Sequence, residues 1–344
     1  MQFLVLALLL ALGARPATAQ IQAPAFPSAP PISPSHRIYT GDQTSNTVTV
    51  IKASTNQVLG TIVLGERCLT DDFHLQYIGA VNSHGLGFSR DGKYINSVSV
   101  TTNTLTVIRT LDNSIVSQTY VDRAPHEGLF SADNRTVWVA ARGTNFVDIV
   151  DGIKGGIIGR VLCAPGPSKV LFSPDGATAY VNHILSATLD IINVNSQKVI
   201  HQITGLADVF SSDMMIKRKA PQSGWRMNYT KVYRQDTPSS DPILVTTVRM
   251  SGIEPHGIWP SPDKTRMYIV NEHSDTVDVI DTATYKILHT MNVGQEGQAL
   301  IYVAGAVPSG PGTQNLGQQG LGNKIENRIV PVAGSGNASA LLTV

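Results

Sequence analysis

The sequence predicts an all-β fold, and three observations carry the expectation. A short apolar run closed by a Ser-x-Asp turn recurs as "SRDGK", "SADNR", "SPDGA" and "SPDKT". Its copies start at His84, Pro125, Pro167 and Pro255, at intervals of 41, 42 and 88 residues, the last being two units. The segments between turns are short and rich in Val, Ile, Thr and Tyr, which suit a pleated, half-buried surface. A period of about forty residues with four strands per unit is the signature of a β-propeller built from four-stranded blades.

The stretch from Pro255 to Val293 justifies each element of the blade in order. "GIWPS" reads as the first and innermost strand, and Pro262-Asp263-Lys264 turn the chain into "RMYIVNE". His273-Ser274-Asp275 then lead into "TVDVID", whose alternation suits a sheet with neighbours on both faces. Thr282 to Thr284 turn into the last strand, "KILHTMNV". Full phrases cover 84–124, 125–166, 167–208 and 255–297, while 209–254 has blade length but has largely lost the pattern. Residues 37–65 supply three strands without an innermost one, and "GQALIYVAG" (297–305) supplies an innermost strand with nothing after it. Joining the two ends predicts a closed six-bladed ring with no exposed sheet edge. Residues 66–83 read as an insertion on one face.

Outside this domain (37–305) the chain changes character. Residues 1–19, "MQFLVLALLLALGARPATA", carry a short apolar core and end in Ala17-Thr18-Ala19, the pattern of a cleaved secretory signal. That core is too short to span a bilayer, and no later segment is apolar enough to do so. Residues 20–36 form a proline-rich leader, and 306–344 a Gly/Gln-rich tail. A secretory route makes Cys68 and Cys163 candidates for one disulfide, with two buried thiols as the alternative. It also makes Asn134, Asn228 and Asn337 candidate glycosylation sites. A net charge of +1 with 15% charged residues offers no basic excess for a nucleic-acid partner.

In a propeller the residues just before each innermost strand converge on the mouth of the central channel. Here they are Ser83-His84, Pro125-His126-Glu127, Pro167-Ser168-Lys169, Pro255-His256 and Glu296-Gly297-Gln298. Turns between the second and third strands open on the same face and add Asp42, Asn103, Arg142, His183, Glu272 and His273. His84, His126 and His256 admit three roles. They could ligate a metal, but ligands from separate blades must meet within about 2.0–2.1 Å of one ion. The mouth of a propeller is wide, so no metal is expected there. They could brace neighbouring blades through backbone hydrogen bonds, or form an acid–base cup, since histidine gives and takes protons near neutral pH. No Gly-x-Ser-x-Gly elbow, phosphate-cradling loop, HExxH or haem-attachment motif is present.

The strings "RIYTGDQTSNTVTVI", "FSPDGATAYVNH" and "TRMYIVNEHSDTVDVIDTATYKIL" resemble the YVTN-type repeat of secreted β-propellers over about residues 37–305. Within that group, the signal peptide, size and blade count make the chain similar to the fungal hetero-Diels–Alderases of tropolone–sesquiterpenoid (meroterpenoid) biosynthesis. The resemblance implies a cofactor-independent pericyclase. Such an enzyme dehydrates a hydroxymethyl tropolone to an o-quinone methide and adds it to humulene or a related sesquiterpene olefin. For that chemistry His84, His126, His256 and Lys169 are the candidate catalytic residues. Arg142, His183, Glu272 and His273 would hold substrate, with Phe73 and Tyr77 as a lid over the apolar partner and Trp225 and Tyr229 as further aromatic candidates; Trp259 is also a candidate, but its place on an innermost strand favours ordinary packing. The departure from the pattern at 209–254 leaves part of the mouth unspecified. The alternatives are a non-catalytic secreted propeller that binds a ligand or surface partner, and a metal-dependent lactonase.

Overall fold

The computed structural model describes residues 31–64, 81–206, 228–234 and 243–317. The signal sequence, Cys68, Phe73, Tyr77, Trp225, Asn337, most of the 66–83 insertion and much of 209–254 lie outside the described residues.

Twenty-two strands and a single 3-10 turn, Glu272–Ser274, build five four-stranded antiparallel sheets and one two-stranded hairpin among the described residues. Sheet II is Gly85–Phe88, Tyr94–Ser99, Thr104–Arg109 and Ile115–Tyr120. Sheet III is Pro125–Phe130, Thr136–Ala141, Phe146–Asp151 and Ile157–Leu162. Sheet IV is Pro167–Phe172, Thr178–His183, Leu189–Asn193 and Lys198–Ile203, and sheet V is Pro255–Pro260, Arg266–Asn271, Thr276–Asp281 and Ile287–Asn292. Sheet I joins the two ends of the domain, in the order Gly297–Val303, Arg37–Asp42, Thr47–Lys52, Gln57–Val63. Within each sheet every strand pairs with the next in sequence except at that junction, where Gly297–Val303 pairs with Arg37–Asp42 as the two incomplete ends lead one to expect.

The first strands of sheets V, I, II, III and IV lie side by side in that order, the arrangement of innermost strands in a β-propeller. They approach closely because glycine faces glycine or bare backbone. A Cβ at Gly85 would lie 2.2 Å from the His126 carbonyl oxygen, and one at Gly257 2.6 Å from that of Gln298. Between sheets the alternating apolar residues pack into shared clusters, such as Tyr39, Val50, Phe88 and Ile95 between sheets I and II. Burial of each such side chain contributes about 1.5–3 kcal/mol. The recurring turn is tied the same way each time. Ser89, Ser131 and Ser261 donate their hydroxyls to Asp91, Asp133 and Asp263 at 2.6–2.7 Å, closing the reversal that the Ser-x-Asp spacing predicts.

The flanks are more engaged than their compositions suggest. In the leader, buried His36 meets the Tyr302 hydroxyl through Nδ1 at 2.9 Å. In the tail, Ala306 and Val307 enter the core between sheets I and II, and Gly317 bridges to Thr61. Low apolar content predicts a segment without its own core, but it does not stop that segment from closing another one. Among the described residues no helix is long and apolar enough to cross a membrane.

Candidate functional site

A bulge repeats where the chain steps into four of the innermost strands. In sheet III, Pro125 faces Ala141 and Glu127 faces Ala140, so His126 has no cross-strand partner. Ser168 in sheet IV and Gln298 in sheet I are left over in the same way, and His256 lies in the corresponding shift of sheet V. A bulge turns one side chain out of the pleat, and bulges gather beside functional sites for that reason. The residue at the head of each of these steps is left-handed: Ala124, Gly166, Glu254 and Glu296 have φ of 53°, 75°, 57° and 52°. At three of the four a non-glycine residue holds this conformation, a local strain that the connection maintains.

The bulged residues interlock around the channel. His126 Nδ1 donates to the carbonyl of Ser168 at 3.1 Å, and His256 Nδ1 donates to that of Gln298 at 2.9 Å. Each acceptor lies 42 residues on, at the same step of the next sheet. His84 does the equivalent through a side chain, its Nδ1 meeting Gln43 Oε1 at 2.9 Å. The Gln43 amide is oriented by its Nε2, which donates to Glu272 Oε1 at 3.3 Å. In all three rings Nδ1 therefore carries a proton directed at the scaffold. Bracing the scaffold engages one nitrogen of each ring.

These three histidines line one cavity of about 110 Å³ with Glu127, Lys169 and Gln298. Its walls are apolar, formed by Leu86, Phe88, Leu129, Ile258, Trp259 and Ile301. The His84 and His126 rings meet edge to face with centroids 4.7 Å apart. Burial, and then the positive fields of His126, Arg142 and His256, push the His84 pKa down to about 3, with Gln298 opposing weakly. The buried Oε1 of Gln298 makes no hydrogen bond of ordinary geometry. Lys169 Nζ pairs with Glu127 Oε2 at 3.2 Å, both side chains being mostly buried. Arg142 is not among the residues that line the cavity but lies near enough to act on His84; it is half-buried, which lowers its pKa, and no carboxylate pairs with it among the described residues.

The other candidates are placed differently. Glu272 is buried beside the mouth; burial raises its pKa, with Glu254 and Glu296 adding and His256 and His273 opposing. His273 is half-exposed and pairs with Glu254 at 3.2 Å, outside the cavity lining. His183 is wholly buried behind the mouth beside Asp190, and burial holds its pKa below the ordinary histidine range while Asp190 pulls the other way. Asn103 spends its Oδ1 on the Ala124 N–H at 2.8 Å. Trp259 lines the cavity with its ring edge-on to Phe88, whereas Tyr229 lies on the outer hairpin. Cys163 is a free thiol donating to the Asn145 carbonyl at 3.3 Å. Asn134 occupies a left-handed turn position and Asn228 is partly exposed. Glu127 and Gln298, which the sequence already places before the innermost strands, join the lining, and the site adds Gln43. The 42-residue spacing from His256 flags Gln298, but nothing in the sequence marks Gln43 as a partner of His84.

The low pKa of His84 has a measurable consequence. In the unfolded chain the ring titrates near 6.5, so stability is indifferent to this group above that pH. As pH falls from 6.5 toward about 3, the unfolded ring takes a proton that the folded ring refuses, and stability is lost. Between pH 6.5 and 4.5 the wild type is expected to lose about 2 kcal/mol more than His84→Gln in urea unfolding. Asp42, whose pKa burial raises to about 7, acts in the opposite sense but in both chains. Parallel losses in the two proteins would contradict this assignment.

Fold and site together define a β-propeller with a histidine-braced polar mouth over an apolar channel. In structure the chain is similar to hydrazine synthase of Kuenenia stuttgartiensis, at 15% identity over 76% of this chain and 84% of that one, with a TM-score of 0.44. It is also similar to a protein of Lactobacillus plantarum (13% identity, 78% and 99% covered, TM-score 0.43). A third similarity is to the periplasmic gluconolactonase of Pseudomonas aeruginosa (15% identity, 78% and 99% covered, TM-score 0.43). No protein-family model and no curated protein matches the sequence.

Proposed function

We propose that the channel mouth binds the oxygenated head of a small acidic ring compound and carries out proton transfer on it. The substrate that fits is a hydroxymethyl tropolone on its way to an o-quinone methide, as the resemblance to hetero-Diels–Alderases implies. One observation carries the reading: three rings locked with Nδ1–H on the scaffold share a single cavity. His84, His126, His256 and Gln298 bring polar groups to that cavity that suit substrate hydroxyl groups, and Arg142 is a charge-assisted donor for the acidic tropolone oxygens. Loss of water needs a base on the ring hydroxyl and a donor on the departing one; a neutral histidine and Lys169 match those roles. The cavity of about 110 Å³ is smaller than the ~150 Å³ that holds a benzene ring, so only the head enters it. The sesquiterpene lies over the mouth, since Trp259 and Phe88 stand deeper along the innermost strands. Cycloaddition then needs no nucleophile, only diene and olefin held in one orientation.

The same proposal includes a sixth blade. The hairpin Tyr229–Arg234 and Ile243–Arg249 has the register shift found between the third and fourth strands of sheets I to V. Met250 after it donates its N–H to Asn228, as Val121 does to Asn103 and Val293 to Asp275. Those matches support the hairpin as the outer half of a blade between sheets IV and V, and with it a closed six-bladed ring.

The deciding experiment incubates purified protein with a hydroxymethyl tropolone and humulene. The expected result is adduct formed at least tenfold faster than in buffer, with one stereoisomer dominant. Adduct matching the protein-free control in rate and stereochemistry rejects catalysis; tropolone binding without acceleration would instead support a ligand-binding propeller.

A further inference from the structure

We propose that Cys163, His183 and Asp190 form a site for a zinc-type divalent cation that staples sheet III to sheet IV. Cys163 follows the last strand of sheet III, His183 ends the second strand of sheet IV, and Asp190 lies in its third strand. Their ligand atoms all lie within 4.8 Å of one another.

The arrangement of lone pairs points to a cation. His183 Nδ1 donates to the Thr188 carbonyl at 3.3 Å, so Nε2 carries the lone pair of the neutral ring. That Nε2 has no hydrogen-bond partner and faces Asp190 Oδ2 at 3.3 Å, with both side chains 0% exposed. Two acceptors then confront each other with no donor between them, an arrangement that costs free energy when buried. A second proton on the ring would relieve it only by sealing an imidazolium and a carboxylate away from water. A metal ion relieves it directly. Ligands about 2.0–2.1 Å from a tetrahedral ion are separated by roughly 3.3–3.4 Å, which matches the His183–Asp190 pair, and the Cys163 sulfur lies within 4.8 Å of both.

The surroundings fit as well. A ligating histidine is ordinarily oriented by a bond from its other nitrogen to a carbonyl, the role Thr188 plays. Asp190 is steadied by the Ala164 N–H at 2.9 Å and by Gln202 Nε2 at 2.7 Å. Cys163 completes a thiolate, imidazole and carboxylate set, which suits zinc with water in the fourth position. Binding displaces the thiol proton to solvent as the sulfur–metal bond forms.

The repeat does not require Cys163 or His183, whereas Asp190 recurs as Asp148 and Asp278. Where Cys163 stands, other sheets have Leu64, Val121 and Val293, each donating its N–H to the matching turn carbonyl. Where His183 stands, sheet V has Asn271, whose Nδ2 donates to Asp278 at 3.1 Å. Cys163→Val and His183→Asn therefore copy residues that already fold at these positions.

The test uses the full chain purified without chelator, with Co²⁺ as the spectroscopic stand-in for Zn²⁺. One equivalent of Co²⁺ is expected to give a thiolate-to-cobalt charge-transfer band that Zn²⁺ abolishes. Zn²⁺ at a hundredfold excess over its Kd should raise Tm by about 4 °C. Cys163→Val and His183→Asn should each lose band and shift while keeping the Tm that wild type has in EDTA. The proposal is overturned if wild type gives no band, or if the band survives both substitutions. It is equally overturned if peptide mapping finds Cys163 joined to Cys68. Should one variant not fold, the other decides.

Discussion

Gly87→Ala is expected to cost about 3 kcal/mol of stability and to lower Tm by roughly 5 °C. The added Cβ would lie 2.1 Å from the Gly128 carbonyl oxygen and 2.7 Å from Asn96 Nδ2. The obstacle is the backbone of the neighbouring innermost strand, so no side-chain rotation relieves it. Two sheets must separate, and the contact between Gly85 and the His126 carbonyl loosens with them. Gly159→Ala is the control: its Cβ meets only the amide end of Gln197, at 2.9 Å, which can swing away. That variant should fall within about 1 kcal/mol of wild type in the same urea titration. Equal losses in the two variants would mean that strand approach around the channel is not what limits packing.

Arg142→Met should weaken binding of tropolone itself by about 10–100-fold without lowering stability. A hydrogen bond to a charged group contributes about 1.5–3 kcal/mol, which sets that range. The variant removes a half-buried cation that has no carboxylate partner among the described residues, so the fold loses no ion pair. Removing its field also eases protonation of His84, since Arg142 is one of the groups holding that ring neutral. Titration of the tropolone absorbance against each protein measures the effect. An affinity within twofold of wild type would remove Arg142 from the site and leave Lys169 as the anion-binding group.

Much of the architecture was legible in the amino-acid order. Strand propensity, Ser-x-Asp turns and a fixed spacing specify the four-stranded units, and the two incomplete ends specify that the last strand joins the first three. These signals are local or periodic, so a linear reading captures them. The same periodicity placed His84, His126, His256 and Lys169 at one level of the molecule, and all four line one cavity. His183 obeys the spacing equally well yet turns inward, because the side to which a strand-end residue points depends on sheet twist and on what waits beside it. Its neighbours Asp190 and Cys163 come from another strand and another sheet.

Sequence alone thus specified the repeat unit, the joining of its ends and the ring of polar residues before the innermost strands. The third dimension supplied the direction of each side chain. Bulges at His126 and Ser168, together with the carbonyls of Ser168 and Gln298 and the amide of Gln43, assign the protons on the three histidines. Those partners are set by contact between neighbouring sheets, through distances that have no counterpart in the order of residues along the chain.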